Sequence, residues 1–134
     1  MTSAGHVIVS GGTAGIGMAT VQLLLDQGYD VSTFGVDLDG VKKARHLLSD
    51  HVQSSFVAQV DIADAAAVGD FVKTVASRFG APRGLVNNAA VRGQGDIFAT
   101  DMTMWDRHFD VNVKGVFLLT RPVLELMRGT RGGS

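Results

Sequence analysis

The sequence predicts an α/β domain built on a doubly wound parallel sheet. Three observations carry that expectation. Short apolar runs rich in β-branched residues alternate along the chain with segments of helical periodicity. Glycines and other turn residues punctuate the alternation. A glycine-rich loop over residues 10–17 joins the first apolar run to the first helical segment. Strands separated by helices of this length imply βαβ units, and hence parallel strands with right-handed crossovers.

The elements follow in order. Val7, Ile8 and Val9 read as a buried strand stopped by glycines. Ile16, Ala19, Thr20, Leu23 and Leu24 keep helical spacing, with Gly28 just past the end as a stop. Residues 31–34 read as a second strand, 41–48 as a second helix and 55–60 as a third strand. The third helix has the clearest period: Val68, Phe71, Val72, Val75, Ala76 and Phe79, with Asp64 as N-cap and Gly80 as stop. Residues 85–87 read as a fourth strand, and 89–101 as a looser stretch. A long helix is expected over 103–127, opened by a capping box from Thr103 to Asp106 and kinked or broken at Pro122. Its core face is assigned to Phe109, Asn112, Val113, Val116 and Thr120. Val111, Leu118, Leu119 and Leu126 lie off that face, so the helix is expected to be covered on both sides.

Composition narrows the classes. The 134 residues suit one domain, 1–134, able to bury roughly two thirds of its unfolded surface. Hydrophobic residues make up 46% and charged residues 19%, which fits a globular core. A net charge of −1 supplies no basic excess for nucleic acid or an anionic membrane. With no cysteine, disulfides and thiolate chemistry are excluded. No targeting segment is visible and the apolar runs are too short to span a bilayer, so a cytoplasmic location is expected. His6, His46, His51 and His108 lack metal-ligand spacing and read as solvated or structural, so no metal is expected. Trp105 and the methionines read as core or pocket wall.

The glycine loop carries the chemistry. Its spacing is Gly11-x-x-x-Gly15-x-Gly17, with Thr13 inside it and Ile16 at the helix start. Gly11 permits a tight turn off the strand, Gly15 lets the backbone approach a pyrophosphate, and Gly17 lets the helix pack close to the sheet. The helix N-terminus offers free N–H groups and a positive dipole end to an anion. The alternative is a glycine-rich connection with no ligand. A Walker-type loop is excluded, because Lys-Ser/Thr is missing at the helix start.

The other polar candidates read two ways. Asp61 is a turn residue after a strand or a ligand contact. Asn87 and Asn88 close a turn, or face a ligand at the carboxyl edge of the sheet. Asn112 is a core amide bonded to nearby backbone, or part of a site.

The residues Ser10-Gly-Gly-Thr-Ala-Gly-Ile-Gly17 resemble the Thr-Gly-x-x-x-Gly-Ile-Gly signature of short-chain dehydrogenases/reductases, with Ser10 for Thr. Asp61, the run Asn87-Asn-Ala-Ala90 and Asn112 are similar to three further family motifs, in the same order and spacing. The resemblance implies a Rossmann-like sheet of strand order 3-2-1-4 and hydride transfer between a nicotinamide cofactor and an alcohol or ketone. It implies adenine recognition by the Asp61 carboxylate with the Ile62 backbone facing the ring. Asn88 and Ala89 are implied at the ribose, and Asn112 in a catalytic proton relay and at a helix kink. It also implies a homo-oligomer through the 101–127 helix. The family's NAD-selecting Asp falls at Gly35 and its NADP-selecting Arg at Val36, so neither selector is present. Asp37 and Asp39 lie close by, and Ala14 supplies no cation for a 2′-phosphate, so the lean is to NAD over NADP. Asp37 is alternatively a cap for the second helix.

The family's Ser and Tyr-x-x-x-Lys have no counterpart here: the one tyrosine is Tyr29, followed four positions on by Thr33. The domain is therefore expected to be incomplete after the fourth helix, with 131–134 leading toward a fifth strand. The chain alone is expected to be inactive. The alternatives are a non-catalytic dinucleotide-binding subunit, or a structural partner pairing through the long helix.

Overall fold

A computed structural model describes residues 2–130 and 132–134. Four parallel strands form one sheet: β1 (His6–Ser10), β2 (Asp30–Gly35), β3 (Ser55–Gln59) and β4 (Gly84–Val86). Their order is β3-β2-β1-β4, as expected. Val7 pairs with Val31 on one side and Gly84 on the other, and Val31 pairs with Ser55. The strands are joined by helices α1 (Gly15–Asp26), α2 (Leu38–Leu47) and α3 (Ala65–Phe79). After β4 come α4 (Met102–Phe109), a π-helical turn (Asp110–Lys114) and α5 (Gly115–Met127).

The pleat divides the core in two. Val7 and Val9 face one side with Met18, Val21 and Leu25 of α1 and Val41 and Ala44 of α2. Ile8 faces the other side, where α3 and α5 contribute Val68, Phe71, Val75, Leu119 and Val123. The first strand is buried throughout, which is why it reads as an unbroken apolar run.

Four expectations about helices need correction. The core face of α1 is Met18, Val21 and Leu25, while Ile16 and Leu23 are exposed. Apolar residues occur all round α1, so spacing alone selected the wrong stripe. The same holds after β4. Val111, Gly115, Leu119, Val123 and Met127 form the buried row, and Phe109, Val113 and Phe117 are exposed. The N-cap of α4 is Asp101, whose carboxylate accepts from Met104 N–H at 2.8 Å; Thr103 lies inside the helix. No break occurs at Pro122, which α5 passes through; the irregularity is the π turn around Asn112. Trp105 is half exposed and outside the core; it lines a smaller pocket with Met104, His108 and Phe109, apart from the main cleft.

The caps Asp37, Asp64 and Gly80 are as expected. Arg131 of the anticipated fifth-strand lead-in lies outside the described residues. Ser134 pairs with the outer edge of β4, donating to Arg83 O and accepting from Leu85 N–H. Among the described residues no helix is long and apolar enough to cross a membrane.

Candidate functional site

A cleft of about 260 Å³ opens at the carboxyl ends of the strands. The strand order reverses there: β1 leads toward β2 on one side, and β4 lies on the other. Open α/β sheets bind ligands at such a point. Gly11, Thr13, Asp61, Ile62, Asn88 and Ala89 line the cleft, together with Gly35, Asp37, Val91 and Arg107.

The loop geometry depends on its glycines. Gly11 and Gly15 have φ of 67° and 56°, in the left-handed region. A Cβ on Gly11 would stand 2.8 Å from Ala89 Cα, whereas the Cβ direction of Gly15 meets nothing within 4 Å. A Cβ on Gly17 would collide with the Gly11 carbonyl oxygen and the Asn88 side-chain nitrogen. Helix α1 therefore starts tight against the strand ends.

Hydrogen bonds fix the loop. The Ser10 hydroxyl accepts from the backbone N–H groups of Asn88 and Ala89, at 3.0 and 2.9 Å. The Asn88 side chain donates to the Ser10 and Gly11 carbonyls, both at 3.1 Å. Gly12 N–H donates to the Thr33 hydroxyl, which donates to Val9 O. Ser10 and Thr33 are fully buried, so these bonds have no competing water. Ser10, Gly12 and Thr33 were not singled out as site residues from the sequence. The available signal was a hydroxyl at the last strand position before the glycines.

The start of α1 differs from those of α2, α3 and α4. Asp37, Asp64 and Asp101 each cap their helix with a carboxylate. Ala14 supplies no side-chain cap to α1, and its first turn carries no acidic residue. Its first N–H groups and positive dipole end are left for another acceptor. Gly15, Ile16 and Gly17 stand at this end, beside the cleft and not in its wall.

Asp61 occupies the opposite wall. Its Oδ1 accepts from Ala63 N–H at 3.0 Å, and Arg107 Nη1 bridges Oδ1 and Oδ2 at 3.2 and 2.9 Å. Partial burial acts upward on the carboxyl pKa. The Ala63 N–H and the Arg107 guanidinium act downward and outweigh it, holding the group below its ordinary range. Arg107 is a site residue that sequence reasoning missed, because it lies 46 positions from Asp61.

Asn112 lies behind the cleft wall. Its Oδ1 accepts from Val91 N–H at 2.8 Å and its Nδ2 donates to Val91 O at 3.0 Å. It lies within the π-helical turn Asp110–Lys114 that joins α4 to α5. Its amide thus clamps the strand of chain leaving Ala89 and Ala90. Asn87 donates to the Thr120 hydroxyl on α5. Among the described residues no three His, Cys, Asp or Glu side chains converge as a metal site.

The family model for short chain dehydrogenase matches residues 5–134, nearly the whole chain. The chain belongs to the short-chain dehydrogenase family. A 3-oxoacyl-(acyl-carrier-protein) reductase of Staphylococcus aureus is 30% identical over 131 residues, covering 95% of this chain and 52% of that protein. A 2-(S)-hydroxypropyl-CoM dehydrogenase of Xanthobacter autotrophicus is 30% identical over 118 residues, covering 88% and 46%. The solved structure of a Serratia marcescens short-chain dehydrogenase/reductase mutant superimposes with a TM-score of 0.84 at 29% identity, covering 92% of this chain and 51% of that one. The chain thus spans about half the length of these relatives. Short-chain dehydrogenases are oxidoreductases that use NAD(H) or NADP(H).

Proposed function

We propose that the chain is the dinucleotide-binding part of a short-chain oxidoreductase that moves hydride between nicotinamide and an alcohol or ketone. The uncapped start of α1 behind the Gly11–Gly17 loop carries this reading. Gly11, Thr13, Gly15, Ile16 and Gly17 hold the pyrophosphate, Asp61 and Ile62 the adenine, and Asn88 and Ala89 the ribose. Asn112 serves by fixing Val91 beside them, and any part in the proton relay is played from that position. The nicotinamide supplies the hydride; the chain's own residues bind and orient the cofactor.

The reading favours NAD over NADP. The cation lining the cleft, Arg107, is paired with Asp61, and the Asp37 carboxylate lies in the same wall. A 2′-phosphate would meet that negative charge with no unpaired cation among the lining residues. A Cβ at Gly35 would run into the Thr13 side chain, so the carboxylate of this wall comes from Asp37. Calorimetric titration tests both points. NADH is expected to bind at least tenfold tighter than NADPH. Equal or tighter NADPH binding reverses the preference, and no binding of either overturns the function.

The cleft lining contains no Tyr, Lys, His or Ser to protonate a nascent alkoxide. The 134-residue chain is therefore expected to bind cofactor without turnover. Measured turnover by the 134-residue chain with no second chain present would overturn that expectation. The exposed row of Phe109, Val113, Phe117 and Leu124 is the surface through which a second copy would pair, with light scattering as the check.

A further inference from the structure

Asp61 and Arg107 form the structure's one ion pair between residues distant in sequence, among the described residues, and both line the cleft. The contact geometry defines what the carboxylate has left to offer. A carboxylate presents about four acceptor positions, two on each oxygen. On Oδ1 both are taken, by Ala63 N–H and by Arg107. On Oδ2 one is taken by Arg107, so one remains. The guanidinium therefore does two things to Asp61: it fixes the rotation of the carboxylate about the Cβ–Cγ bond, and it leaves a single acceptor for an N–H group in the cleft.

We infer that Arg107 is a positioning residue for base recognition, orienting Asp61 so that its remaining Oδ2 acceptor selects a purine bearing an exocyclic amine. The inference rests on the proposed adenine contact of Asp61 and adds the residue that makes this contact selective. Arg107 comes from the last turn of α4, whose capped start and following π turn set its position. It acts through Asp61. Without the guanidinium, Asp61 keeps its Ala63 bond but is free to turn its other oxygen toward water. The pair is only partly exposed, at 39% and 37%, so water competes for both groups without displacing them. The ionised state follows the same arrangement, since the downward push on the Asp61 pKa comes from Ala63 and Arg107 together. An ionised carboxylate accepts and does not donate, so it favours an amine over a carbonyl at the same place on the ring.

Adenosine and inosine monophosphates differ in that group: a 6-amino in one, a 6-oxo in the other. Calorimetric binding of AMP and IMP to the whole chain tests the inference. Wild type is expected to prefer AMP by at least tenfold, the range for a hydrogen bond to a charged group. Arg107→Ala is expected to bring that preference to within about threefold, mostly by weakening AMP. Arg107→Lys, which keeps a charge at the site, is expected to retain part of it and guards against misfolding of the alanine variant. Asp61→Asn is expected to abolish the preference, and adding Arg107→Ala to it should change nothing further. A purely structural role for Arg107 would weaken both nucleotides alike and leave their ratio intact. If wild type prefers AMP and Arg107→Ala keeps that preference, the positioning role is overturned while the adenine contact stands. If wild type shows no preference, the adenine contact fails and the inference falls with it.

Discussion

The two sides of β4 are built on different terms. Through residue 80, α2 and α3 open on carboxylate caps, α3 closes on Gly80, and the apolar residues of the strands meet a covering layer. After residue 90, α4 contributes no fully buried residue, and Met102, Trp105, Phe109, Phe117 and Leu124 remain exposed. Ile16, Leu23 and Leu47 are exposed in the first region too, but there each of α1, α2 and α3 also buries a row of residues, whereas α4 buries none. The glycine loop belongs to the first region and Arg107 and Asn112 to the second, so the candidate site is assembled across the join.

Two phenylalanines put the contrast at its largest. Phe34 on β2 is 1% exposed and meets Phe71 edge-on with ring centroids 4.8 Å apart. Phe117 on α5 is 61% exposed. Phe34→Ala should cost about 3–5 kcal/mol, the range for a buried aromatic that leaves a cavity. Phe117→Ala should stay within about 0.5 kcal/mol, as for an exposed surface position. Urea unfolding of dilute protein measures both. A cost at Phe117 that grows with protein concentration would sharpen the contrast, because it would mean a second copy covers α5.

Asn112 ties the second region to the first. Truncation to Ala leaves the N–H and C=O of Val91 without their partners. Asn112→Ala is therefore expected to cost about 1–3 kcal/mol and to weaken dinucleotide binding. Stability loss with unchanged binding would show that the Val91 clamp supports the fold alone.

A smaller effect is confined to the first region. His6 is buried, with Nδ1 3.0 Å from Gly80 O and Nε2 2.8 Å from the Ser32 hydroxyl. Gly80 O can only accept, so Nδ1 carries the proton and Nε2 accepts from Ser32. Burial lowers the His6 pKa from its ordinary 6.5, against the raising effects of the Gly80 bond and the Asp30 charge. The unfolded chain thus takes up a proton at higher pH than the native state. Stability is complete above the ordinary value and falls as the pH drops from there to the lowered native value. Urea midpoints across that window should decline for wild type and decline less for His6→Gln. An equal slope in both would assign the loss to other groups.

Legibility followed the same division. The alternation of strands and helices, the caps of α2 and α3 and the glycine loop follow from local spacing, since each depends on neighbours in sequence, whereas the strand order rests on pairings such as Val7 with Gly84 and was implied by the family resemblance. Arg107 meets Asp61 and Asn112 meets Val91 across 46 and 21 positions, and local spacing carries no record of such contacts. Apolar residues surround both α1 and α5, so the helical period does not choose the core face of either. In α5 the π turn also shifts the register by one residue beyond Asn112.

The start of α4 gives the smallest and cleanest test of that lesson. Two acceptors compete for the cap: Thr103, suggested by the box pattern with Asp106, and Asp101, which accepts from Met104 N–H. The box pattern is satisfied by residue types alone, whereas the cap requires an extended backbone at the capping residue. Asp101 has φ −92° and ψ 173°, and Thr103 is already helical. Asp101→Ala should therefore cost about 1 kcal/mol, and Thr103→Ala should stay within about 0.5 kcal/mol. Because the cap holds the helix that carries Arg107, Asp101→Ala should also erode AMP preference slightly. The reverse ranking of the two alanine variants would return the cap to Thr103 and shorten α4 from its start.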